Sequence, residues 1–235
     1  MNLKTVIVGA ACALTAVPAL AAGNGDMGEI TLNSVLGRFG GGEFSWTGSG
    51  GPTAFGTFTS FCLELNEGVS PGSEYKATIN DEAILGGAGG PSPDPLDSKT
   101  AALYQAFVNG SLANYSNTGS ISFNSQTYSR QDQAGALQMT IWFLEQEVTS
   151  LDAVTAGRTG AANQALADKI EALAAFYLTQ ANLLDTGDIG NVRVLNLTRL
   201  DGTGNQQDML YIIPLPQTAA LAGLGLAGVA IRRRR

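Results

Sequence analysis

The sequence predicts an α+β fold: strand-rich in its N-terminal part, three helices in the middle, strands again near the C-terminus, and then a short C-terminal membrane or sorting helix. Three observations point that way. Short runs alternating between apolar and polar residues dominate residues 29–67, apolar residues at helical spacing recur between 98 and 184, and alternating or apolar runs return at 192–197 and 209–213.

The first stretch is rich in Gly, Ser, Thr and Phe, with strand patterns at Glu43–Thr47 and Ala54–Phe61. Tyr75–Ile79 and Ala83–Leu85 add two short strands, and Gly86–Pro95 reads as a Gly/Pro loop. Ser98 is placed to cap a first helix, whose stripe of Ala101, Leu103, Tyr104 and Phe107 ends near Gly110. Ile121–Phe123 is a short strand or turn. Ser129 caps a second helix with Asp132 in its first turn; Ala134, Leu137, Ile141, Leu144 and Val148 lie on one face, so the helix is expected to run to about Val148. Leu166, Ile170, Leu173 and Tyr177 mark a third helix over 161–184, and Val192–Leu197 and Met209–Ile213 close the domain as strands.

Composition removes whole classes of chemistry. The chain has no histidine, which excludes imidazole acid–base steps, Ser-His-Asp and Cys-His nucleophiles, and His-based metal sites. Five of the 13 cations, Lys4 and Arg232–Arg235, lie in the end segments, so eight face 20 acidic residues between them. That balance argues against nucleic acid as a partner. No marked carboxylate pair stands out, so no enzymatic turnover, cofactor or metal is expected.

The ends read as addresses. Residues 1–21 form a secretory signal peptide: a Lys4-containing start, an apolar run too short to span a bilayer, and Ala19-Leu20-Ala21 for cleavage. Cys12 belongs to this leader and lacks the apolar residue that a lipoprotein site places three positions earlier. Removal of the leader leaves Cys62 as the single cysteine of a domain over 22–213, with no intramolecular disulfide. At the other end, Pro214-Leu215-Pro216 precedes some 15 residues of modest hydrophobicity and the cluster Arg232, Arg233, Arg234 and Arg235. The apolar stretch is shorter than the roughly 20 residues of a spanning helix. The arginines hold the segment at the cytoplasmic side during export.

This three-part tail over 214–235 resembles the PEP-CTERM sorting signal, a segment also labelled ice-binding protein C-terminal domain. The resemblance implies transient membrane anchoring, processing by an exosortase-type enzyme, and delivery to the outer surface, envelope or extracellular matrix. Here the motif reads Pro-Leu-Pro, without the acidic residue of its commonest form.

Ser60-Phe61-Cys62-Leu63-Glu64 in the strand-rich part and Leu137-Gln138-Met139-Thr140-Ile141-Trp142 on the second helix form the chain's one distinctive pairing. Gln138 borders the apolar face, and a buried amide without a partner costs about 1 to 3 kcal/mol. The pairing resembles the thioester domains of bacterial adhesins. The resemblance implies Cys62 as thiol partner, Gln138 as acyl partner, Phe61 and Trp142 packed around the bond, and surface protein or polysaccharide nucleophiles as targets. Read without it, Cys62 is a small core side chain and Gln138 hydrogen-bonds a backbone carbonyl, as in a passive envelope or biofilm structural protein. Weaker signals are a calcium-like run at Asp185–Asn191, better read as a helix-ending turn, a hairpin turn at Asp201-Gly202, and Asn-x-Ser/Thr sites at Asn109, Asn114 and Asn196 in expected surface loops.

Overall fold

The structure is a computed structural model that describes residues 22–156 and 160–214. The expected signal peptide over 1–21 and the tail beyond Pro214 lie outside the described residues, so the sorting helix is not part of the fold below. Ala22–Pro214 is one compact unit.

The strand-rich part is one antiparallel sheet. It comprises β1 (Met27–Arg38), β2 (Gly41–Gly50), β3 (Thr57–Ser60), β4 (Glu74–Asn80), β9 (Val192–Thr198) and β10 (Met209–Ile212), in the order β10-β9-β4-β1-β2-β3. Two-residue strands β5 (Glu82–Ala83) and β6 (Asp94–Pro95) pair with each other, as do β7 (Ile121–Phe123) and β8 (Gln126–Tyr128). The large sheet curls until its edges meet: Cys62 bridges Met209, Leu210 N–H donates to Phe61 C=O at 3.0 Å, and Leu63 N–H donates to Asp208 C=O at 3.0 Å. The result is nearly a closed barrel.

Strand alternation divides the apolar residues into two cores. Ile30, Leu32, Phe44, Trp46, Tyr75, Leu195 and Met209 belong to one, lined mainly by sheet residues. Val192, Val194 and Leu210, on the opposite face, join the second core with residues of α1 (Ser98–Val108), α2 (Arg130–Leu144) and α3 (Ala161–Leu184).

α2 packs against β1 and β2 on one side and α3 on the other. Residues 132–142 are therefore buried all round, not along one stripe. Its polar side chains are satisfied internally: Thr140 Oγ donates to the carbonyls of Ala136 and Ala174, and Gln133 accepts from Ser116 N–H and donates to the carbonyls of Gly119 and Tyr128. Ser129 caps α2 in a capping box with Asp132.

Several boundaries differ from the sequence expectation. Asp97, not Ser98, caps α1, with its carboxylate accepting from Lys99 N–H at 2.7 Å. α2 stops at Leu144, short of Val148. Gln146 adopts φ 62°, and the N–H groups of Gln146 and Glu147 return to the carbonyls of Phe143 and Trp142, which closes the helix in a Schellman motif. Val148 instead packs against the sheet-lined core. Asn196 lies not in a loop but in β9, 4% exposed, donating to Glu82 C=O.

Candidate functional site

The closing seam of the sheet carries the candidate site. Phe61 and Cys62 continue the line of β3 to the point where it meets β10, and α2 crosses beneath. There the Gln138 carboxamide docks on the Cys62 backbone: Cys62 N–H donates to Oε1 at 3.1 Å, and Nε2 donates to Cys62 C=O at 2.7 Å. Both residues are buried. The two bonds remove the cost of burying the amide, and they join residues 76 positions apart.

Close approach of β2 requires a glycine. A β-carbon on Gly41 would stand 2.4 Å from Gln138 Cγ and 2.7 Å from the Trp142 ring. On the helix side, a β-carbon on Gly135 would meet Arg38 Cβ at 2.6 Å. The end of the β1–β2 hairpin thus rests directly on α2, over the pair.

Trp142 shares the core of Cys62, whereas Phe61 packs edge-to-face on Phe107, ring centroids 5.0 Å apart, in the helical core. Successive strand residues point to opposite faces, so the structure brings Cys62, Gln138 and Trp142 together and sends Phe61 elsewhere. Burial pushes the Cys62 thiol far above its ordinary value. Its backbone hydrogen bond and the Trp142 indole oppose the rise, and the charges of Glu64 and Glu147 add to it. The sulfur is accordingly a neutral thiol. Trp142 Nε1 has no hydrogen-bond acceptor among the described residues, and its N–H favours the Cys62 thiolate.

Addition of the sulfur to the Gln138 amide carbon would place negative charge on Oε1, the atom that receives the Cys62 N–H. The indole and the glycine backbone exclude water.

Around the pair, α2 is anchored differently at its two ends. At the N-terminal end Asp132 accepts from Arg38 Nε and Lys169 Nζ, each at 3.0 Å, and the buried Glu43 is held by Arg130 and by Tyr115 O–H. At the C-terminal end Glu147 accepts from the N–H groups of Leu65 and Ala88 at 2.8 Å and Gly89 at 3.3 Å, and Glu145 from Asp97 N–H at 3.4 Å. Asp208 accepts from Ile84 N–H at 2.8 Å, and Glu64 from Asp208 N–H at 3.4 Å. These acids have no cationic partner within ion-pairing distance among the described residues. Sequence reasoning missed this cluster, because its members come from separate segments without a spacing of their own.

Where the seam splays open, a cleft of about 550 Å³ lies between β3, α1 and β10, lined by Phe58, Tyr104, Phe107, Tyr211 and Arg130 among others. The calcium-like run is a pair of turns: Asp185 accepts from Gly187 N–H and Asp188 from Gly190 N–H. Asp201 likewise accepts from Thr203 N–H in the hairpin turn.

The C-terminal residues decide the address. Residues 213–235 match the family model described as the PEP-CTERM protein-sorting motif. The protein is therefore an exosortase-sorted, exported chain with a cell-surface destination. No curated protein and no solved structure matches the chain. The thioester-domain and ice-binding labels gain no match.

Proposed function

We propose that this exported domain is a surface interaction protein that captures its target covalently, through an internal thioester between Cys62 and Gln138. The observation that carries the reading is the docking of the Gln138 carboxamide on the Cys62 backbone inside a water-excluded pocket closed by Trp142 and Gly41. Sulfur adds to the amide carbon, the C–N bond breaks, and ammonia leaves with the thiol proton. An amine or hydroxyl on another surface then attacks the thioester carbonyl; the C–S bond breaks, an amide or ester forms, and the proton returns to the sulfur. Surface proteins and polysaccharides supply such nucleophiles. Exosortase processing and transient anchoring by the tail deliver the domain to them.

A second reading has its own observation. Both the oxygen and the nitrogen of the carboxamide are bonded to the Cys62 backbone, which is also how a purely structural clamp would use them, in a passive envelope or matrix protein. Methylamine separates the two. Covalent capture predicts one methylamine adduct, localised by peptide mapping to residue 138 and absent from Cys62→Ala. An unmodified Gln138 in wild type would leave the clamp and overturn the covalent reading.

A further inference from the structure

The acidic cluster past the C-terminal end of α2 contains an oxygen that its charged neighbours do not satisfy. Glu64 is 2% exposed; its Oε2 accepts from Asp208 N–H, and its Oε1 meets no donor. The half-buried Glu67 carboxyl is within hydrogen-bonding reach of Glu64. Two carboxylates cannot bond to each other, but a carboxylic acid O–H and a carboxylate can. Asp208 and Glu147 face Glu67 with like charge, Asp94 is close to Glu64, Glu147 and Asp97, and Glu145 is close to Asp94 and Asp97. The negative end of the α2 dipole adds to the repulsion at Glu145. The same acids hold two loops by their backbone N–H groups: the turn after Cys62 through Leu65, and the Gly/Pro loop through Ile84, Ala88, Gly89 and Asp97.

We propose that Glu64 and Glu67 share one proton, and that this proton latches a pH-sensitive clasp. With the proton bound, the turn over 63–69 and the loop over 84–97 stay closed beside Cys62; with it lost, carboxylate repulsion opens both. Burial, the hydrogen bond to Glu64 and the charges of Glu64, Asp208 and Glu147 push Glu67 from its ordinary 4.5 up to about 9. Burial and Glu64 raise Asp208 to about 7, and burial, Glu147 and Glu64 raise Asp94 to about 6. The sign follows from linkage. An open turn returns Glu67 to its ordinary value, so opening releases a proton between pH 4.5 and about 9, and rising pH favours the open form across that window. The clasp is independent of the Cys62–Gln138 bond: the loops can respond to pH with or without a thioester, and the thioester can form beneath loops that do not.

Hydrogen exchange read by mass spectrometry on the full chain tests it, with rates corrected for base catalysis of the chemical exchange step. In wild type, protection of peptides covering 62–69 and 84–97 is expected to fall about fivefold in all between pH 6 and 9, the full linkage slope being reduced by the partial exposure of Glu67. In Glu67→Gln, whose amide donates at every pH, the fall is expected to be markedly shallower, while α3 stays unchanged in both. Equal slopes in the two proteins, or flat protection in wild type, would overturn the proposal. Carbon-13 carboxyl shifts of Glu67 provide a check without a variant: a titration near 9 supports the latch, and one near 4.5 removes it.

Discussion

The two ends of α2 bury carboxylates by opposite means. At the N-terminal end, Asp132 and Glu43 are met by Arg38, Lys169 and Arg130, and the helix dipole favours their charge. At the C-terminal end, Glu145, Glu147, Glu64 and Asp208 are met by backbone N–H groups and neutral side chains, with no cation at ion-pairing distance among the described residues, and the dipole opposes Glu145. The titrations follow. Burial alone would raise Asp132, but Lys169, Ser129 and Arg38 hold it below its ordinary range, whereas burial pushes Glu145 up to about 8. One end of the helix is locked by ion pairs, the other by hydrogen bonds from backbone N–H groups, and the Cys62–Gln138 contact lies between them.

The largest effect that would break this contrast is at the locked end. Asp132→Ala removes the capping-box partner and strands two cations, and should cost about 3 kcal/mol in denaturant unfolding at pH 7. Because Asp132 titrates low, its contribution is present above the usual aspartate value and is lost as pH falls below it. A loss under 1 kcal/mol would show that the locked end carries no more than an exposed ion pair does.

Between the ends, Gly41→Ala should cost about 2 kcal/mol, since the new methyl group meets Gln138 Cγ at 2.4 Å and must displace it from Cys62. A neutral effect would mean that the hairpin does not fix the pair. The smallest change sharpens the other end. Glu67→Gln should raise stability at pH 8 by no more than about 1 kcal/mol, given its partial exposure, and leave it unchanged at pH 4. Destabilisation at pH 8 would put a needed charge where a proton is argued to sit.

How legible this was depended on the range of the interactions. α3 carries its period over 24 residues and appears where the stripe of Leu166, Ile170, Leu173 and Tyr177 places it. The N-terminus of α2 was readable because Ser129 and Asp132 interact three residues apart. Its C-terminus was not, because Val148 continues the apolar spacing while Gln146 turns the chain out at φ 62°. The short strands β5 to β8 and the 3₁₀ turn at Leu151–Val154 are too brief to show a period. Gln138 stood out as a polar residue beside apolar ones, and its pairing with Cys62 was drawn from a resemblance, not from spacing. Phe61 was expected beside that pair and lies in the helical core, because Phe61 and Cys62 are successive residues that point to opposite faces and nothing in the sequence said which of the two would face Trp142. Glu64, Glu67, Glu147 and Asp208 come from separate segments with no spacing of their own, and the folded seam brings them together.

The intact mass of the denatured wild-type protein tests the central claim most directly, read against Cys62→Ala and Gln138→Ala. The account predicts a wild-type mass one ammonia below that calculated from the sequence, and full masses for both variants. A wild-type protein at its full mass, with Cys62 open to alkylation in denaturant, would contradict it and leave the pair as a clamp that closes the sheet onto its central helix.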